Sequence, residues 1–294
     1  MTDKRETIGE ADNDAAGEGL DTEPFADLIG QEFVDFLLEH SPRKVGARIG
    51  KALDHFNKAL RLRGVDDAMG AIRCIAAEEE LVVAVFELLK LNEDDMPEHR
   101  DFVKKFKNHY VKLAFYPVLS QFRFVLGDML KHGVSFNGLE NYLRMPIKPV
   151  LDQEKLKLSI GKEDGEEVIK INPLDFAVSR DDLDDDAIVE EMLKDFSEEV
   201  AKQNGMTVKE FVSARADFRN KLLYATDGGY GEMKDSLEDL IASAFSLAYR
   251  DLLWVLVALT GNKPANKDWG LVSQFVGLYR RVLTEAKILS VEAP

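Results

Sequence analysis

The chain has little cysteine: a single residue, Cys74, occurs among its 294 residues. A lone cysteine cannot form an intramolecular disulfide, which favours a reducing compartment over an oxidising one. The first twenty residues contain no apolar stretch that resembles the core of a secretory signal peptide. We therefore expect a cytoplasmic protein.

Several motifs of enzymes and metal sites are also missing. The chain has no Walker phosphate loop, no Rossmann glycine fingerprint, no pair of cysteines and no Glu-x-x-His or His-Glu-x-x-His spacing. No nucleophile elbow supports serine–histidine catalysis. These absences predict a protein with no metal ion and no cofactor.

Long apolar runs are scarce. The most apolar segment, Leu252 to Thr260, is too short to span a bilayer, and Arg250 and Asp251 directly precede it. We expect this segment to be a buried helix or a dimer face, and we expect no membrane association.

Basic residues are outnumbered, with 38 Lys and Arg against 54 Asp and Glu and a net charge of −16. That balance argues against a generally basic nucleic-acid-binding protein. The acidic excess is confined to two stretches: residues 1–30 hold nine acids and two bases, and residues 151–199 hold seventeen acids and six bases. The rest of the chain is close to neutral and can carry local basic patches.

Helical periodicity predicts a mainly α protein, a helical bundle with a small inserted β-hairpin. Residues 1–24 are acidic and poor in large apolar groups, which favours a disordered tail. Residues 25–294 are predicted to form a single helical domain with an insertion at about 133–180. Within the insertion, residues 156–160 and 168–171 alternate in polarity on either side of a glycine-containing turn, which indicates the hairpin.

Apolar spacing, caps and glycine breaks also place the main helices. They are predicted at about 43–63, 67–91, 100–130, 237–260 and 268–289. A further helix is predicted from about Val208 to about Thr226. Thr207 and Glu210 form a capping box before it, and the run 227–229, Asp-Gly-Gly, ends it.

Arg219, Asn220 and Tyr224 lie off the apolar stripe of that last helix. The run Arg219-Asn220-Lys221-Leu222-Leu223-Tyr224 resembles the Arg-Asn-x-x-x-His signature of the HEPN superfamily (higher eukaryotes and prokaryotes nucleotide-binding). Its members are all-helical, and many are metal-independent ribonucleases. The resemblance implies a homodimer in which the arginine holds phosphate and the histidine handles a proton or positions the ribose hydroxyl.

Tyr224 stands where that motif has histidine. A phenol is almost wholly un-ionised at pH 7 and is a poor general base, although it can donate a hydrogen bond to phosphate or ribose. Five helical positions turn about 500°, which would leave Arg219 and Tyr224 about 140° apart around the axis. They converge only if the long arginine reaches round or a partner subunit supplies the second group. The alternative is that Arg219 pairs with an acidic neighbour and Tyr224 only packs.

Glu79 falls on the apolar stripe of the predicted helix 67–91, where an unpaired charge would be very costly. The run 71–89 also resembles the second helix of HEPN proteins of the abortive-infection V type, in which a helix with paired acids packs on the motif helix. Arg219 is the expected partner of Glu79, and Arg73 is the alternative.

Two helix edges carry repeated basic residues. These are Lys44, Arg48 and Lys51 on one edge, and Lys105 and Lys112 on the other. Phosphate binding is one interpretation of both edges, and a solvated face is the other. Because Tyr224 is a poor base, His109 is the first candidate to replace it, ahead of His55.

We therefore expect a HEPN-like protein that binds RNA or a nucleotide and cleaves RNA without a metal, with phage defence or toxicity as its role. The candidate catalytic residues are Arg219, Tyr224, Asn220, Glu79 and His109. The alternative is a non-catalytic helical interaction module in which the same motif only stabilises a dimer. Tyr224 in place of histidine and the overall acidity favour that alternative.

Overall fold

A computed structural model describes residues 21–91, 100–122, 146–161, 167–180, 182–224, 233–263 and 270–290. The helices are α1 (Glu23–Ile29), α2 (Gln31–His40), α3 (Arg43–Leu62), α4 (Asp67–Lys90), α5 (Arg100–Val103), α6 (His109–Leu113), α7 (115–122), α8 (Asp185–Asn204), α9 (Val208–Leu223), α10 (Leu237–Leu240), α11 (Ser246–Leu259) and α12 (Leu271–Glu285). The strands are β1 (Ile147–Leu151), β2 (Leu156–Gly161) and β3 (Glu167–Ile171). The prediction of a mainly α fold with a small β insertion is confirmed.

Helix α4 is the centre of the core. Its N-cap is Asp66, whose side chain accepts a hydrogen bond from the backbone N–H of Met69. Fifteen of its 24 residues are buried, which is more than one face of a helix can supply, so neighbours cover it on several sides. Helices α3, α6, α9 and α11 all pack against it. As a result, side chains on different faces of α4 reach different helices.

The predicted long helix at 100–130 is interrupted. After α5 the chain turns over residues 104–108, and α6 begins at His109 with Asn108 as its N-cap; the Asn108 side chain accepts from the backbone N–H of Tyr110. Residues 123–130 lie outside the described residues. The break turns α6 so that His109 and Lys112 face α4.

The last described helix, α12, holds α6 in place from the other side. The Tyr279 hydroxyl, which is fully buried, donates a hydrogen bond to the backbone carbonyl of Val111 in α6. The Tyr279 ring also packs edge-on against Phe102 and Phe115. A segment near the end of the sequence therefore supports the short helix that carries His109.

The boundaries of α9 follow its sequence signals. The capping box of Thr207 and Glu210 is present, with both reciprocal hydrogen bonds. The helix ends at Leu223, three residues earlier than predicted, because Tyr224 adopts an extended backbone (φ −129°, ψ 139°). The predicted stop at 227–229 lies outside the described residues.

The inserted hairpin is confirmed, and a third strand joins it. Strand β2 pairs antiparallel with β1 on one side and with β3 on the other. Leu156 belongs to the main core, and the Asn262 side chain after α11 donates to the Leu156 carbonyl at 3.1 Å. The sheet is therefore attached to the helical body through one end of β2.

The predicted helix at 237–260 contains a π-helical segment, Ile241–Phe245, between α10 and α11. The combined helix Leu237–Leu259 is long and apolar enough to cross a membrane by length and composition. Core helices of water-soluble proteins pass the same test. In this helix 39% of the most apolar window is buried, and Tyr249, Leu252 and Leu256 are fully buried.

Two helices are shorter or earlier than predicted. The predicted tail at 1–24 overlaps α1, which begins at Glu23, and residues 1–20 lie outside the described residues. Helix α12 is described from Leu271, and residues 264–269, where the predicted start falls, lie outside the described part.

Two helical glycines test the packing of α4. A Cβ at Gly70 would lie 2.1 Å from Cδ2 of the fully buried Leu237, whereas a Cβ at Gly46 in α3 would meet no atom within 4 Å. We expect Gly46→Ala to raise the free energy of unfolding by up to about 1 kcal/mol through helix propensity. Gly70→Ala should instead lower it by about 1–3 kcal/mol through overpacking. Urea denaturation measures both, and equal effects would contradict the packing of α10 on α4.

Candidate functional site

Glu79 is the central residue of a buried polar cluster between α4 and α6. The Nδ1 atom of His109 lies 2.6 Å from Glu79 Oε1, and the Lys112 ammonium lies 2.6 Å from Glu79 Oε2. The side chains of Glu79 and Lys112 are about one-tenth exposed. Each carboxylate oxygen thus has a partner, which satisfies the condition for burying a charge on an apolar helix face.

The contact with Glu79 fixes the tautomer of His109. A carboxylate can only accept, so Nδ1 carries a proton and donates it to Glu79, and Nε2 of the neutral ring accepts from the Arg219 guanidinium. The His109 side chain is 43% exposed, and Nε2 lies 3.4 Å from a terminal nitrogen of Arg219. His109 therefore presents a proton-accepting nitrogen beside a guanidinium.

Arg219 is not the partner of Glu79, and that prediction is wrong. His109 lies between them, because α6 and not α9 approaches Glu79 most closely. The alternative prediction, that Arg73 pairs with Glu79, is also wrong, since the Arg73 guanidinium contacts His55 at 3.2 Å. Within the described residues, no carboxylate pairs with Arg219, and its buried Nε has no hydrogen-bond partner. The charge of Arg219 is thus available to a ligand.

The other two motif residues, Asn220 and Tyr224, are exposed. Asn220 is exposed on α9, and its backbone carbonyl accepts from the N–H of Tyr224. The Tyr224 side chain follows the end of the helix and is 66% exposed. In the described part of the chain, no hydrogen bond joins Tyr224 to Arg219 or to His109.

An ion pair between Arg215 and the buried Glu78 lies next to this cluster, and the sequence analysis missed it. Arg215 on α9 donates to Glu78 Oε1 at 3.0 Å and, through Nε, to the Leu113 carbonyl at 3.0 Å. Burial raises the pKa of Glu78, and the nearby Arg215 opposes that rise. The available signal was Arg215 itself, a charged residue on the apolar stripe of the motif helix.

Two acids partly neutralise the basic edge of α3. Arg48 pairs with Glu80 at 2.8 Å, and Lys51 pairs with Asp54 at 2.9 Å, while Lys44 is exposed. Hydrogen bonds from Lys58 and Lys51 lower the pKa of Asp54 to about 2, so this carboxylate keeps its charge. The edge is therefore a weak attractor of phosphate.

His55, the second candidate base, lies on the same helix. Burial, together with the charges of Lys51 and Arg73, lowers its pKa. It belongs to the α3 and α4 contact and not to the cluster around Glu79.

The structure separates Lys105 and Lys112, which the sequence placed on one edge. Lys105 is exposed in the turn before α6 and donates to the Ile288 carbonyl at 3.3 Å. Lys112 is buried and neutralises Glu79. Its position suits it to hold the carboxylate that orients His109, and it leaves no free ammonium for a phosphate.

The comparisons with known proteins give no relative: no family model, no curated protein and no solved structure matches the chain. Within the described ranges, no group of three or more His, Cys, Asp or Glu side chains is arranged to hold a metal ion. What this chain does is therefore inferred from the geometry of its own residues.

Two matched substitutions at neighbouring positions of α4 test the buried ion pair between Glu79 and Lys112. Glu79→Gln leaves the buried Lys112 without a counter-charge and should lower the free energy of unfolding by about 3 kcal/mol or more. Glu80→Gln removes the partner of the more exposed Arg48 and should cost less than about 1 kcal/mol. Urea denaturation monitored by circular dichroism measures both. Similar losses in the two variants would mean that Lys112 reaches water in solution.

Proposed function

We propose that this chain is a HEPN-like endoribonuclease that cleaves RNA without a metal, and that His109 takes the place of the motif histidine. One observation carries the proposal. The Arg219 guanidinium, which no carboxylate neutralises in the described residues, lies 3.4 Å from a histidine whose other ring nitrogen is held by Glu79. In such an arrangement the carboxylate orients the histidine as a general base, and the arginine holds an anion beside it.

The reaction that suits this arrangement is attack of the ribose 2′-hydroxyl on the adjacent phosphorus. His109 Nε2 takes the hydroxyl proton as the bond from O2′ to phosphorus forms. The bond from phosphorus to O5′ breaks, and the leaving O5′ takes a proton from water. The products are a 2′,3′-cyclic phosphate and a 5′-hydroxyl, and the proton on His109 returns to solvent.

The other residues support this chemistry by charge and position. Arg219 stabilises the negative charge on the non-bridging phosphate oxygens, which grows as the new bond forms. Lys112 neutralises Glu79, so the carboxylate orients His109 without adding a net negative charge beside the phosphate. In this proposal Tyr224 and Asn220, both exposed, contact RNA outside the reacting bond.

The resemblance of the motif extends the proposal to the assembly and its setting. We propose a cytoplasmic homodimer, not bound to a membrane, that acts in phage defence or as a toxin. Sedimentation of the purified protein measures the dimer directly.

Cleavage of total cellular RNA by the purified chain in excess chelator tests the activity. We expect His109→Ala to lower the rate by about 10²- to 10⁴-fold, the usual contribution of a general base. Arg219→Ala should lower it by about 10²- to 10³-fold, as loss of a transition-state charge contact does. Tyr224→Phe should retain most of the activity. The new RNA ends should be 2′,3′-cyclic phosphates.

Arg48→Ala is the matched control, since it removes a cation of the α3 edge and leaves the cluster intact. Circular dichroism establishes that each variant is folded. Equal rates for the parent, His109→Ala and Arg219→Ala would identify the cleavage as a contaminant. No cleavage by the folded parent at high concentration would overturn constitutive ribonuclease activity.

The second candidate function is a non-catalytic helical interaction module. The observation that favours it is that Glu79 and Glu78 both bind neighbouring helices, so the cluster also has a structural role. This alternative predicts that the unsubstituted protein is folded and dimeric and neither binds nor cleaves RNA.

A further inference from the structure

A cavity of about 320 Å³ lies beside the His109 cluster, bounded by α4, α9 and the helical segment 237–259. Its walls are mainly apolar and aromatic, and they include Ile75, Leu113, Tyr116, Phe211, Phe218 and Phe245. The exposed residues Met206 and Ala244 lie at its mouth. Sites for small organic ligands start at about 300 Å³, so this cavity suits a single compact group.

One polar pair interrupts the apolar lining. Glu78 and Arg215 both line the cavity, and Glu78 is 1% exposed. Its carboxylate accepts one hydrogen bond, from Arg215 through Oε1, within the described residues. Two carboxylate oxygens offer about four acceptor positions, so Glu78 can accept further hydrogen bonds from a ligand. The pair is neutral as a whole, which favours an uncharged ligand with donor groups over a free anion.

Another part of the cavity wall has unusual backbone geometry. Ala244 and Phe245 belong to the π-helical segment Ile241–Phe245. Single π-helical turns inside α-helices are rare and occur frequently at functional sites. The local widening of the helix therefore coincides with the cavity and with its buried carboxylate.

The cavity and the His109 cluster are one helical turn apart. Helices α6 and α9 run antiparallel, since Leu113 contacts Arg215 at one level and His109 contacts Arg219 at the next. Four residues separate the two levels on each helix, a rise of about 6 Å. A nucleotide can span that distance with its phosphate at Arg219 and its base in the cavity.

We propose that this cavity binds the base of the nucleotide whose phosphate lies at Arg219, and that the base is guanine. The proposal rests on the proposed ribonuclease function for the position of the phosphate, but base binding can be measured by itself. Guanine presents two adjacent N–H donors, N1–H and the 2-amino group, which match the carboxylate of Glu78. Its O6 acceptor, next to N1–H, matches the guanidinium of Arg215. The aromatic walls cover its faces.

Calorimetric titration of the full chain with nucleoside monophosphates tests the proposal without any cleavage. GMP should bind at least ten-fold more tightly than AMP or CMP. IMP, which lacks the 2-amino group, should lie between GMP and AMP. Glu78→Gln should reduce the difference between GMP and IMP, because an amide offers one acceptor oxygen in place of two.

The matched control uses two alanines of the same π-helical segment. Ala244 lines the cavity, whereas Ala242 is exposed and does not line it. We expect Ala244→Phe to weaken GMP binding at least ten-fold and Ala242→Phe to leave it unchanged. Both sites are exposed, so neither substitution disturbs the core, and the proposal stays testable if Glu78→Gln fails to fold.

The outcomes separate the two proposals. Guanine-selective binding that Ala244→Phe abolishes, in a chain that cleaves no RNA, supports the cavity and overturns the ribonuclease. RNA cleavage that depends on His109, with no preference among the monophosphates or no effect of Ala244→Phe, overturns the cavity proposal. Equal binding of GMP, AMP and CMP also overturns it.

Discussion

Two neighbouring carboxylates on one buried helix determine how three helices meet. Consecutive residues of an α-helix point about 100° apart, so Glu78 and Glu79 face different neighbours. Glu78 binds Arg215 of α9, and Glu79 binds His109 and Lys112 of α6. Apolar contacts alone tolerate sliding of one helix on another, whereas a buried charge is stable only against its own partner. These pairs fix the register of α6 and α9 on α4, and the candidate site follows from that register.

Sequence reasoning reached part of this arrangement. The mainly α fold, the hairpin and the capping box of α9 follow from local patterns that depend on a few adjacent residues. The demand that Glu79 have a partner follows from a charge on an apolar stripe, but the identity of the partner depends on how α6 approaches. That approach depends on the turn at 104–108, whose signal was the N-cap residue Asn108. Arg48 and Glu80 are 32 positions apart in the sequence, so no local pattern reveals that Glu80 neutralises the charge of Arg48.

Under the proposed function, the charge distribution limits the ways in which RNA could be bound. Arg48 and Lys51 on α3 are paired with acids, and Lys112 is buried, which leaves Arg219 as the cation of the cluster with no carboxylate partner among the described residues. A protein that contacts few phosphates releases few counterions, so its affinity depends weakly on salt. Recognition must then come from contacts with bases and ribose. The cavity beside Arg219, the proposed phosphate position, meets that requirement better than an extended basic groove does.

The hydrogen bond from Tyr279 to the Val111 carbonyl has a consequence for the order in which the molecule is completed. Glu79 and His109 precede Arg219 in the sequence, and the helix that supports α6, α12, follows all three. A nascent chain still attached to the ribosome lacks that support until α12 has left the exit tunnel. The histidine and the arginine therefore reach their final positions only after Tyr279 has been translated, 60 residues beyond Arg219.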